Sequence, residues 1–302
     1  MDSKLEKTIK DNKFADVFTE ITCTGHIGVN ANEELRLFRL SSVIDNHFEI
    51  EDLLKFLKNN IGLYVFNRSR IIRYHDEDED YLVTLDALDV LRKKGVVDET
   101  GTGNELSELL LYVFLESVLG APKIYSKVEL KSSSFTNGVH LKILNPEGER
   151  IRYELVFGSS NITGDLGDAV EDAFDQIARI NDHTCQEVQL VRESIFELPS
   201  DDPAIPAITE YIKPSPGKSI VRSTAFGIFL GYTVGLDKSR SDNDYLDSIE
   251  NKIDDDINAY LPFIKKRISE LGLEGHSFYF YILPFDDAEI DKRRIMSRVL
   301  GR

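Results

Sequence analysis

The segment from Gly103 to Ile180 constrains this chain most, because helical and strand periodicities replace one another there in quick succession. In NELSELLLYVFLESVLG, Leu106, Leu109, Leu110, Val113, Phe114 and Leu119 recur at helical spacing, which predicts a helix with a broad buried stripe. GVHLKIL then alternates Val139, Leu141 and Ile143 against His140, Lys142 and Leu144. RIRYELVFG alternates Ile151, Tyr153, Leu155 and Phe157 against Arg152, Glu154 and Val156. Both read as half-buried strands with one polar side, joined by a turn at Asn145-Pro146-Glu147-Gly148. After Ser159-Ser160-Asn161, the residues Leu166, Ala169, Val170, Ala173, Phe174 and Ile177 predict a second amphipathic helix, with Asp165 and Asp168 in its first turn, where the helix dipole favours negative charge.

The flanks are read the same way. Phe18, Ile21 and Val29 suggest short strands, Glu34 to Ile44 another, and FEIEDLLKFLKNN a short helix. GLYVFNRSR, from Gly62 to Arg70, reads as a strand because β-branched and aromatic residues follow Asn-Asn-Ile-Gly. HDEDED, from His75 to Asp80, reads as a solvated acidic loop, with a calcium or magnesium site as the alternative. Leu82 to Val97 is amphipathic and ends at Lys93, Lys94 and Gly95, and DETGTGN reads as a linker. A boundary there divides an N-terminal α+β region, residues 1–100, from a core with a C-terminal extension, residues 101–302. CQEVQLVRESIFEL suggests a helix, and Pro199 to Lys218, with five of the nine prolines, a long surface connection. The last third alternates strand, helix, strand, helix: SIVRSTAFGIFLGYTV, NDYLDSIENKIDDDINAYLPFIKKRISELG, FYFYILPF and DAEIDKRRIMSRVL. A crossover helix between two strands suggests parallel pairing. The fold class is therefore α/β or α+β, a central mixed sheet flanked by helices.

Charge narrows the functional classes. The 302 residues carry 36 Lys plus Arg against 53 Asp plus Glu, a formal charge of −17, which opposes long-range attraction to nucleic acid. A nucleic-acid role needs a local basic patch or a basic partner. The richest basic stretch is Lys292, Arg293, Arg294, Arg298 and Arg302, either a solvated helix end or a phosphate or partner site. Cys23 and Cys185 are far apart and lack zinc-site spacing, so they read as free thiols. No apolar run is long enough to span a membrane and the N-terminus is charged rather than signal-like, which predicts a cytoplasmic protein.

SELLLYVFLESVLGAPKIYSKVELK, then GVH, then VFGSSN leading into GDLGDAVEDAF, resemble the nuclease-subunit family of Hachiman anti-phage systems. The resemblance covers about Glu105 to Ile180. It implies a restriction-endonuclease-like core of the PD-(D/E)xK kind, related to Cap4-type nuclease domains, with a helicase subunit as partner and DNA as the target. In that chemistry carboxylates hold Mg²⁺, the metal activates a water, and a lysine orients it. The family pattern puts the helix glutamate on Glu108, its Gly-x-Asp on Gly138-Val139-His140, and its Gly-Glu-x-Lys on Gly158-Ser159-Ser160-Asn161. Glu108, His140, Ser159 and Asn161 are thus the candidate catalytic residues, and Glu108 with His140 the candidate metal ligands. Three of the four positions are substituted: His140 replaces Asp, Ser159 replaces Glu and Asn161 replaces Lys. Two readings follow, a defence effector acting on DNA with its helicase, using Mg²⁺ if active, or a nuclease-fold subunit that has lost cleavage and serves as a binding or regulatory scaffold. Glu154 is a possible substitute carboxylate if the correspondence is offset. His140 is either a softer-metal ligand or acid/base partner of Glu108, or a strand histidine satisfied by a neighbour.

Overall fold

The computed structural model describes residues 5–10, 12–29, 33–93, 104–130, 133–144, 152–195, 205–212, 223–236, 238–239 and 242–301. The elements in chain order are α1 (Phe14–Val17), β1 (Phe18–Ile21), β2 (Glu33–Leu40), β3 (Val43–Ile44), β4 (His47–Phe48), α2 (Glu51–Val65), α3 (Arg68–Asp76) and α4 (Asp80–Lys93). They continue with α5 (Glu105–Ser117), β5 (Lys123–Ser126), a 3₁₀ turn (Lys127–Glu129), β6 (Gly138–Ile143), β7 (Tyr153–Ile162), α6 (Leu166–Asp182), α7 (Thr184–Ile195) and α8 (Ile205–Ile212). β8 (Ser223–Thr233), α9 (Asp242–Glu270), β9 (Ser277–Phe285) and α10 (Ala288–Leu300) complete the fold.

Seven strands form one mixed sheet in the order β1-β2-β9-β8-β7-β6-β5. β7, β8, β9 and β2 run parallel, and antiparallel neighbours flank them on both sides. The expected mixed sheet is thus present, with β6 and β7 paired and β8 and β9 joined through α9. Its two outermost strands on one side, β1 and β2, come from the first hundred residues.

Strand burial departs from the expected alternation. β6 and β7 are buried on both faces, because α5 and α10 cover one and α6 covers the other. The polar residues His140, Glu154 and Ser159 are therefore inside, not on a wet side. Glu154 accepts hydrogen bonds from the Ser223 and Ser277 hydroxyls and the Tyr279 phenol, so its carboxylate is consumed within the sheet. α5 approaches the sheet closely over two glycines. A Cβ on Gly158 would lie 2.7 Å from the Leu111 side chain, and one on Gly227 2.7 Å from Leu115.

Two further expectations change. Gly62 to Arg70 is not a strand: Gly62 to Val65 ends α2, and Asn67 caps α3 by accepting a hydrogen bond from the Arg70 amide. Burial overrides local β-propensity there, since Ile61, Tyr64 and Val65 complete the apolar face of α2 and a Cβ at Gly62 would collide with Val83 of α4. Within Pro199 to Lys218, α8 is a helix that buries Ile208, Tyr211 and Ile212 instead of lying on the surface. The linker at residues 98–103 and the turn at Asn145 to Gly148 lie outside the described residues.

A buried ammonium joins these parts. Lys123 Nζ donates to the carbonyls of Leu63 (2.7 Å), Tyr64 (3.0 Å) and Phe66 (2.9 Å) at the end of α2, and also to Glu129. Three carbonyls that α2 cannot satisfy internally thereby acquire a cationic partner at the negative end of the helix dipole. Glu116 of α5 accepts from the backbone amides of Lys123, Thr8 and Ile9, which fastens β5 and the N-terminal segment to α5. Lys123→Met removes one partner of a buried pair and leaves Glu129 uncompensated, an expected loss of about 3–5 kcal/mol. Adding Glu129→Gln should recover part of it, as chemical denaturation of the two variants will show.

Candidate functional site

A polar cleft of about 460 Å³ opens where the start of α5 meets the end of β7 and the first half of α6. Its walls include Ser107, Glu108, Lys127, Ser160, Asn161 and Asp172. Glu108 reaches it from the first turn of α5, because Leu106, Leu109 and Leu110 turn the opposite side of the helix into the core. Three groups hold its carboxylate: the Tyr64 phenol donates to Oε2 at 2.9 Å, Asn137 Nδ2 donates to Oε1 at 2.8 Å, and Lys127 Nζ lies 3.7 Å from Oε1. Burial first, and the Glu108 carboxylate second, push the Tyr64 phenol well above its ordinary pKa, so it stays a donor.

Strand parity separates the other expected residues. Ser160 donates to the Ser107 hydroxyl at 3.0 Å, so its side of β7 faces α5. Ser159 donates to Gln176 at 2.9 Å and to the Ala173 carbonyl at 3.1 Å, and Asn161 Nδ2 donates to Asp172 at 2.6 Å, so their side faces α6. His140 pairs across the ladder with Val156, two residues from Gly158, and its ring sits 6.1 Å from that of Tyr112 on α5. It therefore lies on the α5 face, opposite Ser159 and Asn161. Its Nδ1 donates to the Ala121 carbonyl at 2.8 Å, and burial drives its pKa down to about 3, which makes it a neutral, satisfied strand histidine. Glu108 and Asn161 line the cleft, whereas His140 and Ser159 do not.

The residue that the structure brings to Glu108 is Asn137, which the sequence reading passed over. Asn137 lies one residue before β6, where its amide donates to the Gly158 carbonyl at 2.9 Å. Besides donating to Glu108, Asn137 accepts from the Ser160 amide at 2.9 Å and hydroxyl at 3.2 Å. No periodicity in the sequence marks Asn137, because it belongs to the loop before β6 and not to the strand. The loop that carries Asn137 is anchored from behind. Buried Glu187 accepts from Ser134 Oγ (2.8 Å), the Phe135 amide (2.8 Å) and the Tyr125 phenol (2.8 Å). Thr136 Oγ1 lies 2.8 Å from the carbonyls of both Gly138 and Gly158, and Gln176 Nε2 donates to the Phe135 carbonyl.

These residues do not fit a hard divalent cation. Such an ion takes six or more oxygen ligands with carboxylates prominent among them. Both Glu108 oxygens already accept hydrogen bonds, Asp172 Oδ2 accepts from Asn161, and the side chain that reaches Glu108 from the loop before β6 is a neutral amide. Among the described residues, no group of three or more His, Cys, Asp or Glu could hold a metal ion. The cleft offers hydroxyls and amides among three carboxylates (Glu108, Asp172 and Asp175), the Lys127 ammonium and the Arg179 guanidinium, a set suited to hydrogen-bonded recognition.

Four residues of the C-terminal basic stretch are paired internally, and Arg302 lies outside the described residues. Arg294 pairs with Asp291 (2.9 Å), Arg298 with Glu51 (2.6 Å), and Lys292 and Arg293 both with Glu289 (2.9 and 3.7 Å). The acidic run of residues 75–80 forms the exposed turn between α3 and α4, where His75 lies 3.1 Å from Asp80. Among the described residues no helix is long and apolar enough to cross a membrane.

A family model described as HamA matches residues 14–299. No curated protein and no solved structure matches the chain.

His140 generates a pH prediction. Its folded-state pKa is depressed, so the unfolded chain binds the proton first; its stabilising contribution is complete above about pH 6.5 and is lost as pH falls toward 3. At pH 5 the loss is about 2 kcal/mol. In urea titrations, His140→Gln should therefore lose less stability between pH 7 and pH 5 than the parent chain, by about that amount.

Proposed function

The chain belongs to the HamA family and is thus a subunit of a Hachiman-type defence system, and on that premise we propose that it acts in complex with a DNA-gripping helicase as a nuclease-fold subunit without metal-dependent cleavage of its own. One observation carries this reading. The side chain that meets Glu108 from the β6 side is the neutral amide of Asn137, and that amide, with Tyr64 and Lys127, occupies the Glu108 carboxylate. Losing carboxylates removes the charge that binds a hard cation, and an amide at position 161 does not replace a cationic lysine. The net charge of −17 further supports contact with DNA through a partner and not by the chain alone.

In this reading the cleft recognises and does not hydrolyse. Ser107, Ser160 and Asn161 present short donors and acceptors, Lys127 supplies a positive charge beside Glu108, and Glu187 fixes the wall before any ligand arrives. The competing reading, an active DNA nuclease of the same complex that uses Mg²⁺, keeps Glu108 as its one unaltered family residue.

The two separate in one assay. Plasmid and linear DNA are incubated with the purified chain, alone and with its helicase plus ATP, in Mg²⁺ and in Mn²⁺, beside Glu108→Ala. The expected result is a stable complex and DNA left intact under every condition. DNA degradation that disappears in Glu108→Ala would overturn the proposal and make this a working nuclease.

A further inference from the structure

Residues 5–10 lie where α5, β5 and the junction of α2 with α3 meet, and their attachment is narrow. Leu5 and Ile9 are buried, while Glu6, Lys7 and Lys10 face water. Thr8 and Ile9 donate their amides to Glu116 Oε2 at 2.6 and 3.3 Å, and the Thr8 hydroxyl meets the Tyr112 phenol at 2.6 Å. The Glu6 carbonyl accepts from the Arg68 guanidinium at 2.6 Å. Among the described residues, no backbone group of residues 5–10 bonds to the backbone of a helix or strand. The segment also precedes the residues that the family model matches.

What the segment touches leads to the cleft. Glu116 has no exposure to water and takes the Lys123 amide on its other oxygen at 2.6 Å, so losing Thr8 and Ile9 strips Oε2 of both its donors. The Tyr112 ring lies 5.7 Å from the ring of Tyr64, whose phenol donates to Glu108. Lys123 Nζ lies 5.7 Å from the centre of the Tyr112 ring and donates to the Tyr64 carbonyl. Arg68, which holds Glu6, also reaches the Lys123 carbonyl at 3.4 Å. The contacts of the segment thus converge on Tyr64.

We propose that residues 5–10 form a releasable strap that sets the order of the Glu108 cleft. Seated, the strap holds Tyr112 and Lys123, and through them holds Tyr64 against Glu108. Released, it uncovers Glu116 and loosens the end of α2 and the Glu108–Asn137 contact while the sheet stays folded. A segment held by two apolar side chains and a few side-chain hydrogen bonds opens at a lower free energy than the helix and ladder beneath it. By linkage, whatever tightens Tyr64 on Glu108 tightens the strap by the same factor. This control acts on the cleft whether the cleft cleaves a ligand or only recognises one.

The test is hydrogen exchange of the full chain, read by mass spectrometry, for the parent, Leu5→Ser/Ile9→Ser and Thr8→Val. In the parent, the strap amides should exchange about tenfold or more faster than those of α5. In Leu5→Ser/Ile9→Ser, residues 62–67 and 134–138 should exchange about tenfold faster than in the parent, with α9 unchanged. Thr8→Val keeps both apolar anchors and serves if the double variant does not fold; it should speed the same two regions about fivefold, the equivalent of one hydrogen bond. Strap amides as slow as those of α5 in the parent would make the segment part of the core and overturn the proposal. Acceleration confined to residues 5–10, or spread evenly through α9, would overturn it as well. Exchange is read without DNA, helicase or metal, so its outcome is separate from that of the cleavage assay.

Discussion

Everything near the cleft depends on a charge that has no access to water. The Lys123 ammonium is almost completely buried, yet it reaches from β5 to where the end of α2 and the 3₁₀ turn meet, and both of these supply it with oxygen. Burial lowers its pKa and raises those of Glu129 and Glu116, each against the attraction of opposite charge nearby. The arrangement is costly in isolation and tolerable only because all the partners are in place together. Its structural consequence is specific. The last turn of α2 is held, so Tyr64 is held, and with it the phenol that reaches Glu108.

The cleft shows the same logic at one remove. A buried carboxylate, Glu187, organises the loop that delivers Asn137, and Thr136 ties that loop to both strands of the hairpin. A site this firmly built is ordinarily one whose geometry matters. Around Glu108 the contacts are hydrogen bonds from Asn137 and Tyr64 and one ion pair with Lys127. A sheet keeps its shape through apolar packing and backbone hydrogen bonds, so the polar residues at its end can vary while the scaffold stays the same.

The helices and strands with strong periodicity were legible from residue types alone. α5, α6, α9 and α10 and the strands β6 to β9 fall where the apolar spacing puts them, because a buried stripe or a buried strand has few ways to satisfy its pattern. Gly62 to Val65 was misread because its β-branched and aromatic residues look like a strand, while the neighbours that select a helix, α4 above all, lie far along the chain. The α8 segment was misread because prolines mask a short helix whose apolar residues find their cover only in the tertiary fold. At the cleft, Glu108 and Asn161 were legible, whereas the placing of His140 was not. His140 is polar and two residues from Gly138, but which face it occupies depends on the ladder with β7.

Composition and periodicity determined the class of fold and the net acidic charge. These are properties of residue identity, and no folding step alters them. Tertiary structure alone decided that Asn137 and not His140 meets Glu108, that four residues of the basic C-terminal stretch are spent on internal ion pairs, and that Glu116 accepts from Thr8 and Ile9. Those outcomes depend on register and on which distant helix arrives at a given face, and the local sequence carries no record of either.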